Sequence, residues 1–143
     1  MSTIISKKYY HLVEYYETDA MRIVGHSAYI HWMEEARHQF FIDAGIDLYE
    51  LETKYGIMIP ILHMDVDYKG MCRFGETIGI QIKPTRFNGV YLDFVYRMTG
   101  SNGGLRIIAN SREGFINKDY KPIILQKACP EAYDKLKGCI EDE

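Results

Sequence analysis

Between residues 64 and 110 the chain repeats one pattern four times: an apolar side chain at every second position, then a cluster of turn formers. Met64, Val66 and Tyr68 alternate with Asp65, Asp67 and Lys69, and Ile78, Ile80 and Ile82 with Gly79, Gln81 and Lys83. Leu92, Phe94, Tyr96 and Met98 alternate with Asp93, Val95 and Arg97, and Leu105, Ile107 and Ala109 with Arg106, Ile108 and Asn110. Successive side chains of a strand point to opposite faces, so each run is a strand with one apolar face. The breaks fall at Gly70 to Gly75, at Asn88-Gly89 and at Ser101-Asn102-Gly103-Gly104. Asn-Gly supplies the positive-φ pair that a two-residue hairpin needs. Tight turns of this kind predict four strands that are antiparallel neighbours in chain order. One face of such a sheet needs a cover.

The cover lies upstream. From Ser27 to Ala44 the apolar residues Tyr29, Ile30, Met33, Ala36, Phe40, Phe41 and Ala44 recur at three- and four-residue steps, with His31, Glu34, Glu35, His38 and Gln39 on the opposite side. Ser27 is suited to be the N-cap and Gly45 to be the left-handed residue past the end. Residues 9 to 17 are aromatic and β-branched enough for a first strand, Leu48 to Lys54 reads as a short helix, and Pro130 opens a last helix over 130–139. The predicted fold class is α+β: a curved antiparallel sheet wrapped around one long helix, the hotdog architecture. With no repeat, linker or low-complexity stretch, residues 1–143 read as a single domain.

Composition narrows the function class. A net charge of −3 gives no global electrostatic case for nucleic acid. The three cysteines, Cys72, Cys129 and Cys139, have no CxxC spacing and fit a reducing compartment. The N-terminus lacks the apolar core of a signal peptide, and no window approaches the apolar length of a membrane span. The expectation is a cytoplasmic protein.

The stretch YYETDAMRIVGHSAYIHWMEEAR, residues 15 to 37, passes from strand character through a turn into the long helix and places Asp19 and His26 at the junction. It resembles the acyl-CoA thioester hydrolases of the 4-hydroxybenzoyl-CoA thioesterase-like hotdog family. The resemblance rests on Tyr15, Thr18-Asp19, Ile23-Val24, His26-Ser27, Tyr29 and Glu34-Glu35-Ala36-Arg37, and further on Tyr68, Arg73, Phe74, Gly75 and Glu76. The order of elements agrees over nearly the whole chain. The chain departs from the family pattern at Arg22, where a glycine is usual, and at Ala28, where an asparagine precedes the tyrosine. The resemblance implies hydrolysis of an acyl-CoA thioester, with an acyl-acyl-carrier-protein substrate as the close variant. It also implies a homodimer, or a homotetramer of such dimers, with the site at the subunit interface.

Thioester hydrolysis needs a group that attacks the carbonyl or activates water, donors for the developing oxyanion, and an apolar slot. Asp19 answers the first need, as nucleophile or general base; the competing reading has it accept backbone N–H groups in its turn. The start of the long helix answers the second: by the resemblance the backbone N–H of His26 is the donor, its imidazole assisting, while a capping or core histidine is the alternative. Tyr15, four residues before Asp19, is placed to orient the carboxylate or simply to pack.

The expected substrate contacts are Arg22, Ser27, Tyr29, Trp32 and Met33, with Met58 beside them and with Lys69 and Arg73 for the nucleotide phosphates. Trp32 and Met33 are equally suited to the core. Arg22 either turns outward or selects an acidic acyl group. No cysteine or carboxylate joins His11, His31, His38 and His63 at ligand spacing, so neither a metal nor another cofactor is expected. A non-catalytic acyl-CoA-binding protein on the same fold is the rival from another class.

Overall fold

The computed structural model describes residues 7–140. Strand β1 (Lys7–Leu12) leads through one 3-10 turn (Tyr15–Glu17) into helices α1 (His26–Asp43) and α2 (Leu48–Tyr55). Strands β2 (Ile61–Tyr68), β3 (Thr77–Phe87), β4 (Tyr91–Thr99) and β5 (Leu105–Gly114) follow, then α3 (Leu125–Ala128) and α4 (Pro130–Cys139). The strands make one antiparallel sheet in the order β1-β3-β4-β5-β2.

The inner face of this sheet carries the period-two residues. Ile78, Ile80, Ile82, Leu92, Phe94, Tyr96, Met98, Ile107 and Ala109 are all buried. They meet the buried stripe of α1, formed by Ala28, Tyr29, Trp32, Met33, Ala36, Phe40 and Phe41. Phe40 packs edge-on against Phe94 at 4.9 Å between centroids, a favoured geometry for two quadrupoles. The β3–β4 ladder shifts register between Pro84 and Arg86; proline lacks the N–H a ladder needs, and the bulge bends the strand there. Gly45, at φ 82°, ends α1 in the left-handed conformation expected of it.

Three expectations need correction. β2 and β3 are not neighbours: β2 pairs with β5 at one edge of the sheet, and β3 lies between β1 and β4. The glycine-rich stretch from Gly70 to Gly75 is therefore a crossover. Both sides of β3 are already taken, and residues 69–76 carry the chain from one edge toward the other. The first strand stops at Leu12, because Glu14 and Glu17 close a tight turn in which Glu14 N–H donates to Glu17 Oε1 at 2.8 Å. Finally, the N-cap of α1 falls two residues early: Gly25 occupies it and Ser27 lies inside the first turn.

Candidate active site

Residues 17–25 fold back on themselves to present Asp19. Gly25 N–H donates to the Glu17 carbonyl at 3.0 Å, Thr18 bridges Val24, and Asp19 N–H donates to the Ile23 carbonyl at 2.9 Å. Arg22 N–H closes the tip on the Asp19 carbonyl at 2.9 Å. Arg22 has φ 61°, in the left-handed region that costs a side-chain-bearing residue about 1–2 kcal/mol. Glycine would adopt that conformation freely, so the departure at this position carries a backbone strain.

The Asp19 carboxylate is exposed and half-anchored. Its Oδ1 accepts from Met21 N–H at 2.8 Å and Ile23 N–H at 3.3 Å, while Oδ2 takes no hydrogen bond among the described residues. Asp19 thus does the turn-holding work of an Asx residue with one oxygen and keeps the other for chemistry. The following helix start supplies the complement. His26 and Ser27 are exposed, and as the first residues of α1 their N–H groups have no partner within the helix. The positive end of the helix dipole favours negative charge developing beside them.

The returning limb of the loop is braced by the crossover. Val24 N–H donates to the Cys72 carbonyl at 2.9 Å, Ile23 bridges Arg73, and Phe74 N–H donates to the Arg22 carbonyl at 3.1 Å. The crossover is itself clamped to β5. Arg106 binds both oxygens of Glu76 at 2.9 Å and reaches the Met71 carbonyl at 2.6 Å. These guanidinium hydrogen bonds hold the Glu76 carboxyl down to about 2.

Among the other expected residues, the Tyr15 hydroxyl is not a partner of Asp19. Its ring, mostly exposed, instead meets Phe74 edge-on at 5.4 Å, and the Arg22 guanidinium lies over both rings at 5.5 and 5.9 Å. Tyr29 is buried and its hydroxyl accepts from Cys72 N–H at 3.2 Å, strapping α1 to the crossover. Trp32 and Met33 are wholly buried under the sheet. Arg73 is exposed beside the loop through its bridge to Ile23, whereas Lys69, also exposed, sits by Arg106 at the far end of the crossover.

Two acidic residues escaped the sequence reading. Glu17 lies two positions before Asp19 with its side chain 6% exposed; it accepts from His11 Nε2 at 2.8 Å and from the Trp32 indole N–H at 2.6 Å. These hydrogen bonds hold its carboxyl below the usual range in spite of opposing burial. Glu113 is 0% exposed, and neither of its oxygens has a hydrogen bond of good geometry among the described residues, Ser111 being the hydroxyl neighbour that eases its charge. Arg37 Nε stands 3.6 Å from it while Arg37 Nη1 donates to the Tyr96 hydroxyl, which in turn pairs with Ser111. Burial pushes the Glu113 carboxyl up to about 7, against the pull of Arg37. The signal was present: the period-two phase of β5, continued past Ala109, points Ser111 and Glu113 inward.

A groove of about 520 Å³ runs along α1, with Phe41, Leu48, Ile57, Met58 and Ile59 among its apolar lining and Glu34, Glu35 and Glu52 at its exposed margin. Of the expected contacts only Met58 lines it. No group of three or more histidine, cysteine or carboxylate side chains is arranged to hold a metal ion among the described residues. No described helix is long and apolar enough to cross a membrane.

The model of the thioesterase-like superfamily matches residues 13–131. The chain is 35% identical over 129 residues to "Putative acyl-CoA thioesterase YneP" of Bacillus subtilis, covering 87% of this chain and 93% of that one. It is 30% identical over 103 residues to the 1,4-dihydroxy-2-naphthoyl-CoA hydrolase of Crocosphaera subtropica, covering 72% and 75%. Among solved structures it superposes on a DHNA-CoA thioesterase from Staphylococcus aureus with a TM-score of 0.85 at 26% identity, covering 94% of this chain and 92% of that one.

Proposed function

The chain belongs to the thioesterase-like superfamily, and we propose that it is an acyl-CoA thioester hydrolase whose attacking or basic group is Asp19. The observation that carries the assignment is the half-anchored carboxylate: one oxygen is fixed by two backbone N–H groups, and the other has no partner among the described residues. A catalytic carboxylate must be held still and left reachable, and this one is both.

Asp19 attacks the thioester carbonyl carbon, or takes a proton from the water that does. The carbonyl oxygen gains negative charge, which the N–H of His26 and the dipole of α1 stabilise. Collapse of the tetrahedral species expels the CoA thiolate. With one water consumed, the products are the free acid and CoA. Arg73, exposed and bridged to Ile23 of the loop, is the candidate for a CoA phosphate. The acyl group lies in the groove along α1, against its apolar lining of Phe41, Leu48, Ile57, Met58 and Ile59.

Assembly follows from the sheet edge. Among the described residues β2 pairs with β5 on one side only, and it continues from the residues that line the groove. An unpaired edge is a liability for a lone monomer, and a second copy adding its own β2 across a two-fold axis removes it. Sedimentation at micromolar concentration is expected to give twice the 16.7 kDa of the chain, or four times for a pair of dimers; a monomer contradicts the proposal.

The test of function is release of free thiol from a panel of acetyl-, hexanoyl-, palmitoyl-, benzoyl- and 1,4-dihydroxy-2-naphthoyl-CoA. Hydrolysis of at least one member is expected. Tight binding of a member with no thiol released would instead make the protein a binder of acyl-CoA.

A further inference from the structure

Glu17 ties the first strand, the long helix and the entry to the Asp19 loop together through one carboxylate. Its Oε1 accepts from His11 Nε2 on β1 and from Glu14 N–H at 2.8 Å each, its Oε2 accepts from Trp32 Nε1 on α1 at 2.6 Å, and its own carbonyl accepts from Gly25 N–H at 3.0 Å. The His11 ring packs on the Trp32 indole at 4.6 Å between centroids, which fixes the two donors relative to each other. The chain thus enters the Asp19 loop from a nearly buried, ionised carboxylate pinned to the first strand and the long helix. It leaves the loop at the residue that caps that helix.

We propose that Glu17 is a positioning residue: its carboxylate holds the 17–25 loop in register with the start of α1, so that Asp19 and the N–H of His26 address one carbonyl. The inference rests on the role proposed for Asp19, but what Glu17 does to the loop is measurable without it. Two carboxylate oxygens accept from three N–H donors on opposite sides. Glutamine has one accepting end, so it leaves either the Trp32 indole N–H or the Glu14 N–H facing another donor. Charge-assisted hydrogen bonds of this length are also the stronger kind, and the neutral amide forfeits that.

The test is Glu17→Gln in the full chain, with two readouts. Trp32 is the only tryptophan, so its emission reports directly on the bond to residue 17. Amide hydrogen exchange at Met21, Ile23 and Gly25 reports on the loop. We expect a shifted Trp32 emission, exchange faster by about tenfold or more at those three amides, and an unchanged core exchange pattern. On the panel substrate turned over fastest by the unaltered protein, kcat is expected to fall about tenfold with KM nearly unchanged, the split that misplacement of a reacting group gives.

Trp32→Phe, which cuts the helix link and leaves the other two bonds, is expected to speed exchange at the same amides and serves if Glu17→Gln does not fold. Unchanged exchange at Met21, Ile23 and Gly25 in both variants overturns the proposal, as does faster exchange with an unchanged kcat. Failure of the Asp19 role looks different: there Asp19→Asn stays active, whatever Glu17→Gln does to the exchange of the loop.

Discussion

The loop that presents Asp19 and the cluster around Glu113 place the same chemical group in opposite surroundings. Asp19 is exposed, fixed by two backbone N–H groups, and open to water on its second oxygen. Glu113 is sealed between α1 and the sheet with no hydrogen bond of good geometry among the described residues, and its cation neighbour, Arg37, is an ion-pair partner at 3.6 Å. A buried charge is tolerated only with compensation, so the second carboxylate has no room for chemistry and a large hold on stability. The first has the reverse. A reacting group is kept where water and substrate reach it and is fixed by the backbone, at little cost to the core.

The largest effect that would break this contrast is on the buried side. Arg37→Met leaves Glu113 without its cation, and stability at pH 8 is expected to drop by about 3–5 kcal/mol, as when one partner of a buried pair is removed. At pH 5 the loss should be smaller, because Glu113 then takes up a proton. Urea unfolding at the two pH values measures both, and an equal loss at each would show that the guanidinium matters only for packing.

Next in size is the pH slope of Glu113 itself. Its folded value of about 7 lies above the ordinary 4.5, so between those values the folded chain holds a proton that the unfolded chain has released. Stability on this account is greatest below pH 4.5 and falls as pH rises to 7, by up to about 3 kcal/mol. Glu113→Gln should flatten that fall while leaving turnover of folded protein essentially unchanged. A slope that survives the substitution would assign it to another group.

The smallest effect is on the exposed side, at the tip of the Asp19 loop. Arg22→Gly relieves the left-handed strain of about 1–2 kcal/mol but gives up two cation–π contacts worth about 0.5–1 kcal/mol each at an exposed site. The melting temperature should barely move. Because the guanidinium is laid on Tyr15 and Phe74, the ratio of acidic to neutral acyl-CoA hydrolysis should also stay as it was. A changed ratio would bring Arg22 into substrate choice.

How much of this was legible in the residues depends on whether a feature is local. The span of α1 and the hairpins at Asn88-Gly89 and at 101–104 follow from periodicity and turn chemistry, which neighbouring letters carry. The place of β2 is not local. Gly70 to Gly75 has the composition of a hairpin, and only the arrival of β1 beside β3, from far back in the chain, turns it into a crossover. The site divides in the same way. Asp19, His26 and Arg22 fall in one short motif, and the loop keeps them together. The spacing of Tyr15 allows it either to orient Asp19 or to pack, and the 3-10 turn at Tyr15–Glu17 decides for packing by sending its ring to Phe74 and Arg22. Glu17 and Glu113 draw their meaning from Trp32 and Arg37, which are distant in sequence.

The central claim is that Asp19 supplies the anion that hydrolyses the thioester. It is tested most directly by thiol release from Asp19→Asn beside the unaltered chain, on the panel substrate turned over fastest. Asparagine keeps an oxygen for the N–H groups of Met21 and Ile23 and removes only the charge. Turnover is expected to fall by about 100-fold or more, the scale of a lost acid–base or nucleophilic group, with melting temperature and acyl-CoA binding nearly unchanged. A folded variant that turns over within a few-fold of the unaltered chain would contradict the account, and so would one that loses its fold, since Asp19 would then be serving the turn alone.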